Sequence, residues 1–263
     1  MSSYLEEHYN KFYEEKRLDS RHGQVEYRLT MKYVREALAR MQKPNEEIRI
    51  ADIGAGTGRY AILLYQEGYD VTAVELVSHN FGILKKKASG MPCIKGDARD
   101  LKKLKDDTFD LVLLLGPLYH LFNFEDKLFA LCEAKRITRP GGVIFAGYLM
   151  NEYGLLSYGF KEGHILEVKE QGRIDGDYCC LSEEKDLYDY VRTDTIDALK
   201  DASGLSRVTI FSPDGPANYM RPVLNRLTEE EFEEFIRYQE TVAERRDLLG
   251  AAAHTVDVLR KPL

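Results

Sequence analysis

The stretch Ala51-Asp52-Ile53-Gly54-Ala55-Gly56-Thr57-Gly58-Arg59 decides how the chain is read. Ahead of the glycines, Ile48 to Ile53 is a short apolar, β-branched run that predicts a strand. Behind them, Thr57 to Glu67 predicts a helix closed by Gly68. Glycines at such a strand-to-helix turn let a ligand approach the backbone closely, because no Cβ intervenes. The helix start adds unpaired N–H groups and the positive end of a dipole, which suit a carboxylate or phosphate. Glu75 closes the next strand candidate, Asp70 to Val74, where a carboxylate can accept both hydroxyls of a ribose. Alone, the pattern says only adenosine-type cofactor.

The alternation continues outward. His79 to Ala88 predicts a helix ended by Ser89-Gly90. Pro92 to Ile94, Phe109 to Leu115 and Gly142 to Tyr148 predict strands. A helix over Glu125 to Ile137 fits between the last two, closed by the turn signal Arg139-Pro140-Gly141-Gly142. Strands and helices alternating at this spacing predict βαβ crossovers and a parallel sheet covered on both faces. Two regions depart from it. A helix over Val25 to Met41 follows an acidic, Tyr-rich leader. Met150 to Tyr190 is rich in Gly and Tyr, with strand-like pieces such as His164 to Val168, and reads as a lid or small β element. The tail resumes the pattern with a helix over Thr193 to Ala202, the C-cap Gly204, and a strand over Arg207 to Phe211. Thr228 and Glu231 form a capping-box pattern ahead of the stripe Phe232, Phe235, Ile236 and Val242, read as core. His254 to Leu259 predicts a last strand.

Glycine spacing separates two cofactor classes. The dinucleotide fingerprint G-x-G-x-x-G/A needs a small residue where this chain has Arg59, which disfavours a nicotinamide-dependent oxidoreductase. The G-x-G-x-G form, with Asp52 two residues earlier, resembles motif I of the class I S-adenosylmethionine-dependent methyltransferases. Glu75 is similar to that family's ribose-binding acid, and Gly96-Asp97-Ala98 to its adenine-binding turn. Phe109-Asp110 through Leu115 resembles its fourth strand, and Arg139-Pro140-Gly141-Gly142 the turn into its fifth. The resemblance runs from about residue 46 to 148 and again from 190 to 261. It implies an α/β, Rossmann-like, seven-stranded, mostly parallel sheet with an antiparallel last strand and helices on both faces. It also implies S-adenosylmethionine as cofactor, with S-adenosylhomocysteine as product. The residues implied to hold it are Asp52, Gly54, Ala55, Gly56, Gly58, Glu75, Leu76, Asp97, Ala98 and Leu115. One domain over 1–263 is expected: a helical cap (1–45), a cofactor-binding core (46–148), a lid insertion (149–190) and the rest of the core (191–263).

After the fourth strand the chain carries Gly116-Pro117-Leu118-Tyr119-His120-Leu121. This departs from the [Asp/Asn/Ser]-Pro-Pro-[Tyr/Phe] of enzymes that methylate adenine or glutamine amino groups. It resembles the small-molecule methyltransferases related to the quinone-biosynthesis group, whose substrate pocket is roofed by N-terminal helices and by an insertion after strand five. The activity implied is methyl transfer to an O, N, S or C atom of a small metabolite. His120 is the candidate general base, because its ordinary pKa of about 6.5 suits proton transfer near neutrality. Tyr119 is the candidate for orienting the acceptor. The bland readings are a histidine bonded to a carbonyl and a packing tyrosine. In the leader, Tyr9, Tyr13, Arg21, His22 and Glu26 are candidates to close over the cofactor, Arg21 facing its carboxylate or an acidic substrate. The alternative is a solvated arm. The lid tyrosines Tyr153, Tyr158, Tyr178, Tyr188 and Tyr190 read as packing residues, and His254 as structural.

Composition narrows the partners. With 37 basic and 44 acidic side chains the formal charge is −7, which disfavours a nucleic-acid acceptor. The basic clusters Lys85-Lys86-Lys87 and Lys102, Lys103 and Lys105 read as solvated faces. An RNA or protein methyltransferase on the same fold, and an inactive cofactor-binding regulatory module, are the alternatives. Cys93, Cys132, Cys179 and Cys180 lack C-x-x-C spacing and read as buried, reduced thiols, so no metal site is expected. No apolar run approaches the ~20 residues that cross a bilayer, and the first twenty residues hold no signal-peptide core. Membrane insertion is therefore not expected, and a cytoplasmic location is. Monomer and homodimer are both compatible with the sequence.

Overall fold

The computed structural model describes residues 5–7 and 18–263. Tyr9 and Tyr13 lie outside the described residues. Seven strands form one sheet: β1 (Arg49–Ile53), β2 (Asp70–Glu75), β3 (Cys93–Lys95), β4 (Phe109–Leu114), β5 (Thr138–Leu149), β6 (Ser206–Phe211) and β7 (His254–Arg260). Their order is β3-β2-β1-β4-β5-β7-β6. β7 runs antiparallel to both of its neighbours, and the other pairings are parallel. The chain winds outward from β1 through β2 to β3, then returns to start β4 on β1's other side. The strand order reverses between β1 and β4, and it is at the carboxyl ends beside such a reversal that α/β sheets of this kind open a ligand crevice.

Strand alternation explains why helices cover both faces. Ile50, Leu111, Leu113 and Phe145 point to one side, and Ala51, Ile53, Val112, Leu114 and Ile144 to the other, all nearly fully buried. On the first face pack α1 (Arg21–Ala39) through Val25, Leu29 and Val34, α2 (Arg59–Gln66) through Leu64, and α3 (Ser78–Lys87) through Leu84. The opposite face takes α4 (Phe124–Ile137) through Leu131 and Ala134, and α5 (Thr193–Ser203) through Ile196 and Leu199. The last long helix, α6 (Glu229–Val242), begins with the capping box expected at Thr228 and Glu231 and buries Phe232 and Ile236 beside α1.

Three expectations are corrected. The Arg139–Gly142 turn does not precede β5 but lies within it. Register against β4 jumps there from Phe109↔Thr138 to Leu111↔Val143, and Gly141 takes a φ of +78°. His164 to Val168 is not a strand: Ile165–Glu170 is a short helix, steadied by His164 Nδ1 at 3.0 Å from Glu167. Its backbone bonds are local, with the Val168 N–H donating to the His164 carbonyl at 3.0 Å. The lid opens on helical turns, Asn151–Gly154 and Leu155–Lys161, and further on carries an isolated β-bridge between Ile174 and Cys180. Finally, Cys132 is exposed on α4, while Cys93, Cys179 and Cys180 are half-buried free thiols.

Candidate active site

The carboxyl ends of β1, β2, β3 and β4 meet at two adjoining cavities. The larger, about 570 Å³, is lined by Gly54 and Gly56, by Glu75 and Leu76 after β2, by Asp97 and Ala98 after β3, and by Tyr119 and His120 after β4. The smaller, about 90 Å³, lies under α1 and is lined by Asp52, Gly54, Ala55, Gly56, Leu115 and Tyr119. Gly54, Gly56, Gly116 and Tyr119 border both. All but one of the cofactor residues expected from sequence thus lie on a cavity wall. Gly58 is the exception: it is the N-cap of α2, with φ of +92°. A Cβ there would sit 2.6 Å from Leu84 Cδ1. Gly54 has φ of +76°, and a Cβ on it would come within 2.7 Å of the Pro117 ring. These two glycines let the β1 turn bend tightly while the β4 turn packs against it.

Glu75 is 5% exposed and accepts from the Gly56 and Val77 N–H groups, each at 2.7 Å. Two backbone bonds fix the carboxylate at the cavity wall. Asp97 accepts from Arg99 Nη2 at 2.8 Å and from the Arg99 backbone N–H at 2.9 Å. Burial raises the Asp97 pKa, but the bonds and charge of Arg99 outweigh it and hold the carboxyl below its ordinary range. Asp52 behaves oppositely. Burial, with a smaller push from the charge of Glu75, raises its pKa to about 7 against a bond from the Ala61 N–H. Its Oδ2 is buried without a hydrogen-bond partner.

The post-β4 segment and the lid lock together. His120 Nδ1 lies 2.8 Å from the Leu187 carbonyl, the Asp189 N–H donates to the Tyr119 carbonyl at 2.8 Å, and buried Lys127 donates to Asp189 at 2.5 Å. The carbonyl bond anticipated as His120's bland role is therefore present, while the ring also lines the large cavity. Tyr119 stands edge-on to His120, Tyr188 and His254.

Arg21 is placed elsewhere than expected. It donates to the Thr228 carbonyl at 3.3 Å and to Glu229 at 3.2 Å, and lies over the Phe232 ring. It serves the α1–α6 junction and borders neither cavity. Asn80, 3% exposed, escaped the sequence reading and lines the large cavity with its Oδ1 unpartnered; only its place on α3 just past Glu75 hinted at this. Glu26, named from sequence as a candidate to close over the cofactor, lines the small cavity together with His254, read from sequence as structural, and Asp214 stands behind them. One ligand-type atom from each of these three falls within 4.8 Å of the others. They come from β7, α1 and the post-β6 loop, so no local spacing could flag them.

The residues fit an adenosine-bearing sulfonium cofactor on structural grounds. Two buried acceptors without partners border two cavities that share the wall residues Gly54, Gly56, Gly116 and Tyr119: Asn80 Oδ1 the large one and Asp52 Oδ2 the small one. Residues 51–146 match a family model described as a methyltransferase domain. The chain is 28% identical over 121 residues to glycine/sarcosine N-methyltransferase of Halorhodospira halochloris, covering 44% of this chain and 45% of that protein. It is 32% identical over 107 residues to a ubiquinone biosynthesis O-methyltransferase of Rhizobium etli, covering 39% and 42%. The chain thus spans less than half the length of these curated relatives. In fold it is similar to a SAM-dependent methyltransferase of Methanosarcina mazei, with a TM-score of 0.56 at 14% identity over 86% of this chain and 97% of that one. The matched residues 51–146 carry the glycine turn, β2, β3 and β4, so this part of the chain is similar to a methyltransferase domain, within a sheet of order β3-β2-β1-β4-β5-β7-β6.

Proposed function

We propose that the protein transfers a methyl group from S-adenosylmethionine to an O, N, S or C atom of a small-molecule metabolite in the cytoplasm. What carries the reading is a pair of adjoining cavities, with Glu75 and Asp97 on the wall of the larger and Tyr119 on the wall of both. Glu75 is the ribose acceptor and Asp97, kept ionised by Arg99, the acceptor for the adenine amine. Asp52 and the Gly54–Gly56 backbone take the methionine end. When bound, the cofactor supplies an already activated sulfonium methyl. What is left to the protein is alignment and exclusion of water. Tyr119 borders both cavities and orients the acceptor, while lid residues 184–187 and Leu121 line the large cavity. His120 is the candidate to take a proton from an acceptor that carries one. Lid residues on the cavity wall support a small acceptor over RNA or protein.

Calorimetry with S-adenosylhomocysteine tests the base of this reading. Wild type is expected to bind, and Glu75→Ala to weaken binding at least about tenfold by removing a buried acceptor. A folded wild-type protein that binds neither cofactor nor product ends it. A labelled-methyl screen across metabolite acceptors then separates a working enzyme from a silent cofactor-binding module.

A further inference from the structure

The lid holds a cavity of its own, of about 310 Å³. Its wall is largely aliphatic and aromatic, with Leu155, Val168 and Ile174 beside Tyr158, Tyr188 and Tyr190. Backbone bonds set that wall. Ile174 and Cys180 form an antiparallel bridge, and the Leu181 N–H donates to the Arg173 carbonyl at 2.8 Å. Asn151, 2% exposed, donates to the Tyr178 carbonyl at 2.9 Å and accepts from the Cys180 N–H at 2.7 Å. Gly154 makes room for the Tyr190 ring, since a Cβ there would come within 3.1 Å of it. The charged wall residues Arg173 and Asp186 pair with each other. Burial pushes the Cys180 thiol up to about 12 and raises the Tyr190 phenol, so both face the space uncharged. A mostly apolar wall of this size with few polar groups favours a neutral, apolar occupant.

The position of the cavity says what that occupant is. Asp186 and Leu187 border both this cavity and the large one. The Leu187 carbonyl is the partner of His120 Nδ1, and the Tyr188 ring lies 5.4 Å from His120 and 5.8 Å from Tyr119, centroid to centroid. The candidate base and the acceptor-orienting tyrosine therefore stand at the seam between the two spaces. The described lining residues of the lid cavity include neither Glu75, Asp97 nor the β1-turn glycines, so its walls are not those assigned to the cofactor. Tyr158 and Leu181, also on its wall, are 47% and 46% exposed, and apolar surface left in this way marks ligand grooves.

We propose that the lid cavity seats the apolar body of the methyl acceptor, with the reacting atom at the Asp186–Leu187 seam beside Tyr119 and His120; this rests on the methyltransferase reading above. The substrate class is then neutral molecules that carry a ring or chain of apolar surface, rather than small polar amino acids. Tyr188 is the side chain that touches both sides of the seam, packing on His120 and walling the lid cavity.

The test is calorimetry on the full chain saturated with S-adenosylhomocysteine, so that the cofactor's own space is filled. The probes are 2-naphthol, an apolar body with one hydroxyl, and sarcosine, a polar molecule without such a body. 2-Naphthol is expected to bind, and sarcosine at least about tenfold more weakly. Leu181→Asp puts a charge on the cavity wall and should weaken 2-naphthol binding at least about tenfold. Leu166→Asp is the control. Leu166 is 77% exposed on the same lid and is not on the cavity wall, so its change should alter binding less than about twofold. Amide exchange should slow on 2-naphthol binding across 174–181 and 186–188 together. Sarcosine binding as tight as that of 2-naphthol, Leu181→Asp without effect, or an equal loss in both variants overturns the proposal. Protection that stops at residue 181 overturns it too, because the cavity is then a lid site apart from the seam. Product binding with no 2-naphthol binding overturns it alone. Failure to bind S-adenosylhomocysteine brings down the methyltransferase reading as well.

Discussion

Asp52 shows at the scale of one residue how a site's charge is set by what it holds. Its carboxyl is pushed up to about 7 by burial, so in the ligand-free fold it keeps its proton well above the ordinary carboxylate range. The unfolded chain loses that proton near its ordinary pKa of about 4. Its stabilising protonated form is therefore fully available below pH ~4, and the contribution fades as pH rises toward 7. Asp52→Asn should accordingly raise the ligand-free melting temperature at pH 8 and leave it unchanged at pH 4. The gain is expected to be roughly 2–4 kcal/mol. Melting curves at both pH values check this, and equal effects at the two would show that the charge is not what matters. Cofactor binding works in the opposite sense. A bound ammonium group favours the carboxylate, so binding at pH 6 should release a proton and tighten as pH rises to about 7. Calorimetry in buffers of different ionisation enthalpy reads that proton directly.

Between elements, the telling contact is the seam joining the β4 turn to the lid. His120, Tyr119 and Lys127 each hold residues 187–189, through the Leu187 carbonyl, the Asp189 N–H and the Asp189 carboxylate. Two roles for His120 now make different forecasts. As a latch it acts by fixing the lid, and Asn, which keeps a donor for a carbonyl, should rescue most of what Ala loses. In that case KM rises several-fold with kcat and its pH profile little changed. As a general base it should lower kcat about 100-fold or more with the acidic limb of the profile lost, and Asn should not help. Steady-state kinetics of the two variants over pH 5–9 decides between them. Lys127→Met leaves Asp189 without its buried partner, which typically costs about 3–5 kcal/mol locally. Amide exchange across 184–191 should speed up in that variant while exchange in β1 and β4 stays slow. Uniform acceleration over the whole sheet would mean that the pair supports the global fold rather than the lid.

The whole molecule was readable in sequence where chemistry and periodicity coincide along the chain. The glycine turn, Glu75 and Asp97 each follow a strand whose apolar residues alternate between two faces, so strand, edge and ligand position came together. The lid was not readable, because His164 to Val168 alternates like a strand yet closes into a helix through local backbone bonds. Nor was the grouping of Glu26, Asp214 and His254, which are far apart in sequence and adjacent only in the folded chain. The small cavity joins α1 to the β1 and β4 turns, and the large one joins those turns to the lid, so a ligand that reaches into both ties separate layers together. S-adenosylhomocysteine at a hundredfold excess over its Kd should stabilise the fold by about 2.7 kcal/mol. For a chain of this size that is a rise in Tm of roughly 5–10 °C. The distribution matters more than the amount. If the cavity closes as a unit, amide protection on binding should rise together in α1 near Glu26, in the 116–123 segment and in lid residues 184–187. Protection confined to the ends of β1, β2 and β3 would show instead that the cofactor seats on the sheet alone and that α1 and the lid take no part in enclosing it.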